Sequence, residues 1–203
     1  MPRWLLAGGV GVLLLAVLGL GAWLWAEARE RRAVGAYLEP LARLAMTRGG
    51  ELSAEARVAI SRELESALGQ YPSASLAPEA AYELGNLRYA ERDWAGARGA
   101  WEIVSAQAQS PTLKTLARAG IGYAWEAEGN LAKAREAYSQ ALAGLRPGEF
   151  HFEELLMALA RVQEQSGDKT AAVETYRRLL RERPGSLRAD EARSRLASLG
   201  ASP

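Results

Sequence analysis

The chain contains no cysteine, which excludes disulfides, thiolate zinc sites, a thiol nucleophile and a lipidated N-terminal cysteine. Histidine occurs once, at His151, so no second imidazole stands at metal-ligand spacing from it. A basic surplus is missing as well. The formal net charge is +1, and Arg3 is the only charged side chain before Glu27; the other 24 of the 25 basic side chains face 24 acidic ones over residues 27–203. A nucleic-acid binder needs excess cations to neutralise phosphates, so that class of partner is not expected. Aromatic residues make up only 7%, β-branched runs are sparse, and no stretch alternates apolar and polar residues. Ala, Leu, Glu and Arg dominate instead, and all favour helix. The motifs of nucleophile elbows and phosphate-binding loops are absent too. The expectation is an all-α, non-enzymatic chain without a cofactor.

What is present begins with residues 4–26, WLLAGGVGVLLLAVLGLGAWLWA, which carry no ionisable side chain. As a helix the run measures about 35 Å, enough for a hydrocarbon core of roughly 30 Å. Trp4 stands at one end and Trp23 and Trp25 at the other, where amphipathic rings favour the interface. Ala26-Glu27-Ala28 offers a small-x-small cleavage site, but the run exceeds the usual apolar core of a signal peptide, about 7–15 residues. The expectation is an uncleaved transmembrane anchor. Ala7 with Gly11, and Ala22 with Ala26, form small-xxx-small pairs through which two copies could approach, so a homo-oligomer is the alternative use of this segment. Arg29, Arg31 and Arg32 outnumber Arg3, and by the positive-inside count they favour a cytoplasmic C-terminal side.

From about residue 74 one pattern recurs three times. Ala97, Ala134 and Ala172 lie 37 and 38 residues apart, and four residues after each comes an aromatic: Trp101, Tyr138, Tyr176. Twelve residues before each is a small residue, Gly85, Gly122 or Ala160, preceded by Leu84, Ile121 or Leu159. Asp93, Asn130 and Asp168 sit four residues before the alanines, two of them after Gly129 and Gly167. Gly suits a left-handed turn that ends a first helix, and Asp or Asn then caps a second by accepting a backbone N–H. Pro111, Pro147 and Pro184 punctuate the units, each expected to stop a second helix. A lone hairpin of this kind cannot bury its apolar face, whereas stacked hairpins can.

The segments AYELGNLRYAERDWAGARGAW (81–101), AGIGYAWEAEGNLAKAREAYSQAL (119–142) and LMALARVQEQSGDKTAAVETYRRLL (156–180) resemble the tetratricopeptide repeat, with its L-G-x-x-Y first helix and A-x-x-x-[FY] second helix. Trp125 and Gln163 replace the usual Tyr, and Arg92 the first turn glycine. The resemblance implies a right-handed solenoid of helical hairpins. Residues 33–48 and 53–71, split by Gly49-Gly50, look like a degenerate pair. Residues 186–200, with Leu187, Ala192, Leu196 and Leu199 on one face, look like a capping helix. The expected division is a tail (1–3), anchor (4–26), linker helix and degenerate pair (27–73), three repeats (74–184) and cap (185–203). This layout is similar to bacterial ancillary translocon subunits and cell-division coordinators. That similarity implies a single-pass protein of the bacterial inner membrane with periplasmic repeats that contact other envelope proteins.

In this repeat class the inner face of each first helix usually meets the partner. Carried over by register, it places Tyr82, Asn86 and Tyr89 in the first unit, Leu116, Tyr123 and Glu126 in the second, and Met157, Arg161 and Glu164 in the third. Glu79, Ala119 and Glu154 complete the face. Tyr, Met and acidic side chains together suit a protein segment with apolar anchors and some basic residues. His151, between Phe150 and Phe152, is read as a junction residue, and the Arg-rich stretch 177–195 as a solvated helical face. The expected function is a membrane-anchored adaptor, chaperone-like or ancillary to translocation; the alternative is a structural envelope oligomer.

Overall fold

A computed structural model describes residues 3–46 and 53–202, with side chains from residue 15 onward. The described residues form helices and connecting turns, without a strand. The nine helices described are α1 (Arg3–Met46), α2 (Ala54–Gln70), α3 (Ala77–Ala90), α4 (Trp94–Gln107), α5 (Pro111–Ala127), α6 (Leu131–Leu142), α7 (Phe152–Gln165), α8 (Lys169–Glu182) and α9 (Ala189–Ser198). They divide into two compact units, Met1–Ala77 and Pro78–Pro203.

In the first unit α1 and α2 pack antiparallel. Ala33, Tyr37, Pro40 and Leu44 are buried at helical spacing along α1, and Ile60, Leu64, Ala67 and Leu68 along α2. Tyr37 closes the pair. Its ring is fully buried, and its hydroxyl lies within donating distance of the carbonyls of Ala67 (3.1 Å) and Tyr71 (2.9 Å) at the end of α2. Burial pushes the phenol up to about 12. Ser53 caps the other end of α2, its hydroxyl accepting from Ala56 N. The Gly49-Gly50 break lies outside the described residues.

The expected transmembrane anchor is corrected here. Among the described residues no helix is long and apolar enough to cross a membrane, and with that the placement as a single-pass inner-membrane protein is withdrawn. Residues 4–26 lie within α1, and Glu27 follows at once. The same helix runs on without a break to Met46 as one wall of the α1–α2 pair. The side chains of Trp4 and of the Ala7/Gly11 pair lie outside the described residues.

In the second unit each hairpin turns as its local chemistry requires. Gly129 and Gly167 adopt φ of +77° and +82°, and Asn130 and Asp168 accept from the N–H of Lys133 (3.2 Å) and Ala171 (3.1 Å). The first turn keeps this geometry without glycine: Arg92 has φ of +63°, and Asp93 accepts from Gly96 N at 2.9 Å. Asp93, Asn130 and Asp168 each donate their own N–H to the carbonyl five residues back, on Arg88, Trp125 and Gln163, all at 2.9 Å. Three turns of unlike sequence thus converge on one closure. Pro111 departs from expectation. It does not stop α4, which ends at Gln107, but opens α5 at the first helical position behind the Ser110 cap, where a missing N–H costs nothing. Leu187 departs too: it precedes α9 and is fully exposed, while Ala189, Ala192 and Leu196 carry the buried face.

The hairpins interlock through aromatic rings set against small residues. A Cβ built on Gly85 would lie 2.4 Å from Trp101 Nε1, one on Gly120 2.8 Å from the same indole, and one on Gly122 2.4 Å from Tyr138 Cε1. Trp101 is therefore sandwiched between the first helices of two successive hairpins. Tyr138, Leu155, Leu156, Val162, Tyr176, Leu179 and Leu196 continue the same core.

The left-handed turns give a paired prediction. Replacing Gly129 by Ala strains a positive φ and should cost about 1 kcal/mol. Arg92→Gly relieves that strain but loosens the unfolded chain, so it should be neutral or stabilising by under about 1 kcal/mol. Urea unfolding midpoints of the two variants measure the difference.

Candidate functional site

The face expected to meet a partner is built by α3, α5 and α7. Tyr82, Asn86 and Tyr89 on α3 are half-buried, as are Leu116, Tyr123 and Glu126 on α5 and Arg161 and Glu164 on α7. Met157 is only 5% exposed and belongs to the core. Asn86 donates its amide to Glu83 (3.3 Å). Tyr89 leans on two indoles, its ring centroid 4.7 Å from Trp94 and 5.8 Å from Trp101.

Further along, the face is tied together by hydrogen bonds between hairpins. Glu126 accepts the Tyr138 hydroxyl at 2.7 Å and binds Arg161 in bidentate fashion, Nε to Oε1 at 2.8 Å and Nη2 to Oε2 at 2.9 Å. Tyr138 belongs to the second helix of Glu126's own hairpin, and Arg161 to the first helix of the next. The arrangement is repeated one step on: Tyr176 donates to Glu164 at 3.2 Å, and Arg195 of α9 stands 3.7 Å from the same carboxylate. Tyr123 crosses the junction in parallel, its hydroxyl donating to Glu154 at 3.0 Å while its ring meets Tyr138 edge-on at 5.4 Å. One hairpin earlier, the register positions of Glu126 and Arg161 are held by Tyr89 and Tyr123. The face thus passes from an aromatic section on α3 and α5 to a charged section on α5, α7 and α9.

These contacts set the ionisation of the groups. Burial alone would raise the Glu126 carboxyl, but the hydrogen bonds from Arg161 and Tyr138, with the Arg161 charge, hold it below the usual carboxylate range. Burial and the Glu126 carboxylate push the Tyr138 phenol up. Burial and Glu154 do the same to Tyr123, and burial and Glu164 push Tyr176 up to about 12. These phenols stay neutral donors over the ordinary pH range.

His151 stands at the start of α7 with a left-handed backbone, φ +66°. Its Nδ1 lies 2.9 Å from Glu154 Oε2, and its ring centroid 4.2 Å from that of Phe150. Glu153 beside it is held by Arg183 and Ser186, each at 2.6 Å. No group of three His, Asp or Glu side chains among the described residues could hold a metal ion. The sequence reading picked out Glu126, Arg161 and Glu164 but not the tyrosines that bond to the two glutamates. Tyr138 and Tyr176 each stand twelve residues after their glutamate, a spacing that could have revealed the link.

Protonating Glu126 should loosen the junction. Because its folded pKa is depressed, its stabilisation is complete above the unfolded carboxylate value, about 4.3, and is lost as pH falls through the folded value. Glu126→Gln should therefore cost about 2 kcal/mol at pH 7, with the gap to the parent narrowing below about pH 4. Thermal unfolding of both proteins across that range checks it.

The tetratricopeptide repeat family model matches residues 154–186. Among solved structures the chain is similar to a tetratricopeptide repeat protein from Parabacteroides merdae, with a TM-score of 0.65 and 15% identity, over 82% of this chain and 60% of that one. It is also similar to Pseudomonas aeruginosa pilF, from work on its functional characterization, with a TM-score of 0.61 and 15% identity over 92% and 80% of the two chains. The chain thus spans about 60% of the length of the first of these. No curated protein matches it by sequence. Residues 154–186 match the tetratricopeptide repeat model, and the helical array that contains them has the tetratricopeptide repeat fold.

Proposed function

We propose that the chain is a protein-binding scaffold whose partner lays a segment along the first-helix face of α3, α5 and α7. The observation that carries this reading is the aromatic section of that face. Tyr89 is half-exposed and braced on Trp94 and Trp101, and its hydroxyl makes no hydrogen bond among the described residues. A braced tyrosine loses little rotamer freedom on binding and offers both an apolar ring and a free hydroxyl, the properties of an interface anchor. Tyr82 stands seven residues earlier on α3, two turns along the helix.

The charged section serves the same role by being already satisfied. Glu126 and Arg161 neutralise each other, so a partner crossing them meets a polar surface without a buried, unpaired charge. Proteins of this repeat class generally act as scaffolds and not as catalysts, and a chaperone-like adaptor is the same reading with an unfolded client as the partner.

A photocrosslinking residue at position 82 or 89 of the full chain, expressed in its own cells, should give protein adducts. The same residue at Glu174, exposed on α8, should give none. Equal adducts from all three positions, or none from 82 and 89, would remove the face from consideration. Tyr89→Ala should weaken capture of an identified partner about tenfold or more.

A further inference from the structure

Helix α5 has a second face. Leu116, Ala119, Tyr123 and Glu126 look toward the hydrogen-bonded junctions, and at 100° per residue Pro111, Lys114, Arg118, Ile121 and Trp125 fall on the other side. That side lines two adjoining cavities which share Arg118. The larger, about 510 Å³, lies over Ile121 and Trp125, with Arg118 and Lys133 set against Glu102 and Glu136. Its mixed charge gives no preference for a partner of either sign.

The second cavity, about 410 Å³, is different. It lies between the start of α5 and the segment joining α6 to α7, and is lined by Pro111, Leu145 and Phe150 together with Lys114, Arg118 and Glu149. Glu149 is occupied: Arg146 donates to it from Nε and from its backbone N–H, both at 2.9 Å. Lys114 and Arg118 have no ion-pair or hydrogen-bonding side-chain partner among the described residues. The uncompensated charge of the cavity is therefore positive. Phe150 stands over it with 66% of its surface exposed, beside the left-handed backbone of His151, a conformation that costs a non-glycine residue roughly 1–2 kcal/mol. An exposed ring next to two unpaired cations is a surface that a folded chain gains nothing by keeping bare.

We propose that this cavity is a second docking site, for an acidic protein segment that places a carboxylate between Lys114 and Arg118 and an apolar side chain against Phe150 and Leu145. The charge balance decides the occupant. A basic or neutral segment would leave both cations unpaired and partly desolvated, whereas a Glu or Asp would form charge-assisted hydrogen bonds with Arg118. The site lies on the opposite side of α5 from the Tyr123 face, so two partners, or two parts of one partner, could be held by one helix.

The test uses the full chain and three labelled synthetic peptides: one containing Glu and Phe, its Gln-for-Glu isostere, and its Lys-for-Glu counterpart. Fluorescence anisotropy should show the acidic peptide binding about tenfold or more tighter than the isostere, with affinity falling as salt rises. Arg118→Glu with Lys114→Glu, and separately Phe150→Ala, should each weaken it by about tenfold, while Tyr89→Ala leaves it unchanged. The milder pair Lys114→Gln and Arg118→Gln should lower affinity with the thermal midpoint held, in case charge reversal disturbs the fold. Equal binding of acidic peptide and isostere, or affinity untouched by either pair of substitutions, overturns the proposal. Loss of binding on Tyr89→Ala overturns it as well, since the peptide would then be on the other face.

Discussion

In the first two hairpins the ring on the second helix lies against a bare patch of backbone. Trp101 fills the gap between Gly85 and Gly120, and Tyr138 covers Gly122. Both rings are essentially excluded from water, at 3% and 0% exposure, and in a close-packed interior no free volume remains for an added methyl group. The small residue fixes how close the helices come, and that distance places everything built on them. With Tyr138 seated on Gly122, its hydroxyl reaches Glu126, and Glu126 in turn reaches Arg161 of the next hairpin. The apolar stacking and the polar ladder are therefore one construction. The ladder links hairpins in the direction of stacking, where a repeat protein gains most of its stability.

The first junction and the later ones use different chemistry in the same register. Tyr89 with Tyr123 stands where Glu126 with Arg161, and Glu164 with Arg195, stand further on. Trp101 accordingly has no hydroxyl to offer, and its indole N–H is buried without a partner, a cost of about 1–3 kcal/mol that the ladder avoids elsewhere. The result is a face that is aromatic at one end and neutralised charge at the other.

Much of this was legible because hairpin rules act over a few residues. Gly167, Asp168 and Ala171 complete their turn within five positions, so sequence alone locates it, and the recurring aromatic and small residues announce the stack. The links across 35 residues, such as Arg161 to Glu126, leave no local trace, and neither does the second contact of Trp101 with Gly120. Pro111 was misplaced because proline both ends and begins helices, and only the Ser110 cap decides which. Leu187 was assigned to a buried face by spacing alone, but α9 starts two residues later. The apolar segment at 4–26 is read from sequence as a membrane anchor, yet among the described residues no helix is long and apolar enough to cross a membrane. Hydropathy treats it as a unit, whereas the helix containing it runs on through Tyr37 to Met46 and ends as half of a packed pair.

The same substitution made at two helical glycines tests the central constraint. Gly99 in α4 has open space around its Cβ position, while Gly122 in α5 faces Tyr138. Gly99→Ala should stabilise the protein by about 1 kcal/mol through helix propensity, and Gly122→Ala should destabilise it by about 2 kcal/mol because the buried ring, tied to Glu126, has nowhere to move. Equilibrium urea unfolding of the two variants reads both numbers. Opposite signs are the predicted result; a gain of similar size at both positions would show that the aromatic rings do not set the spacing of the hairpins.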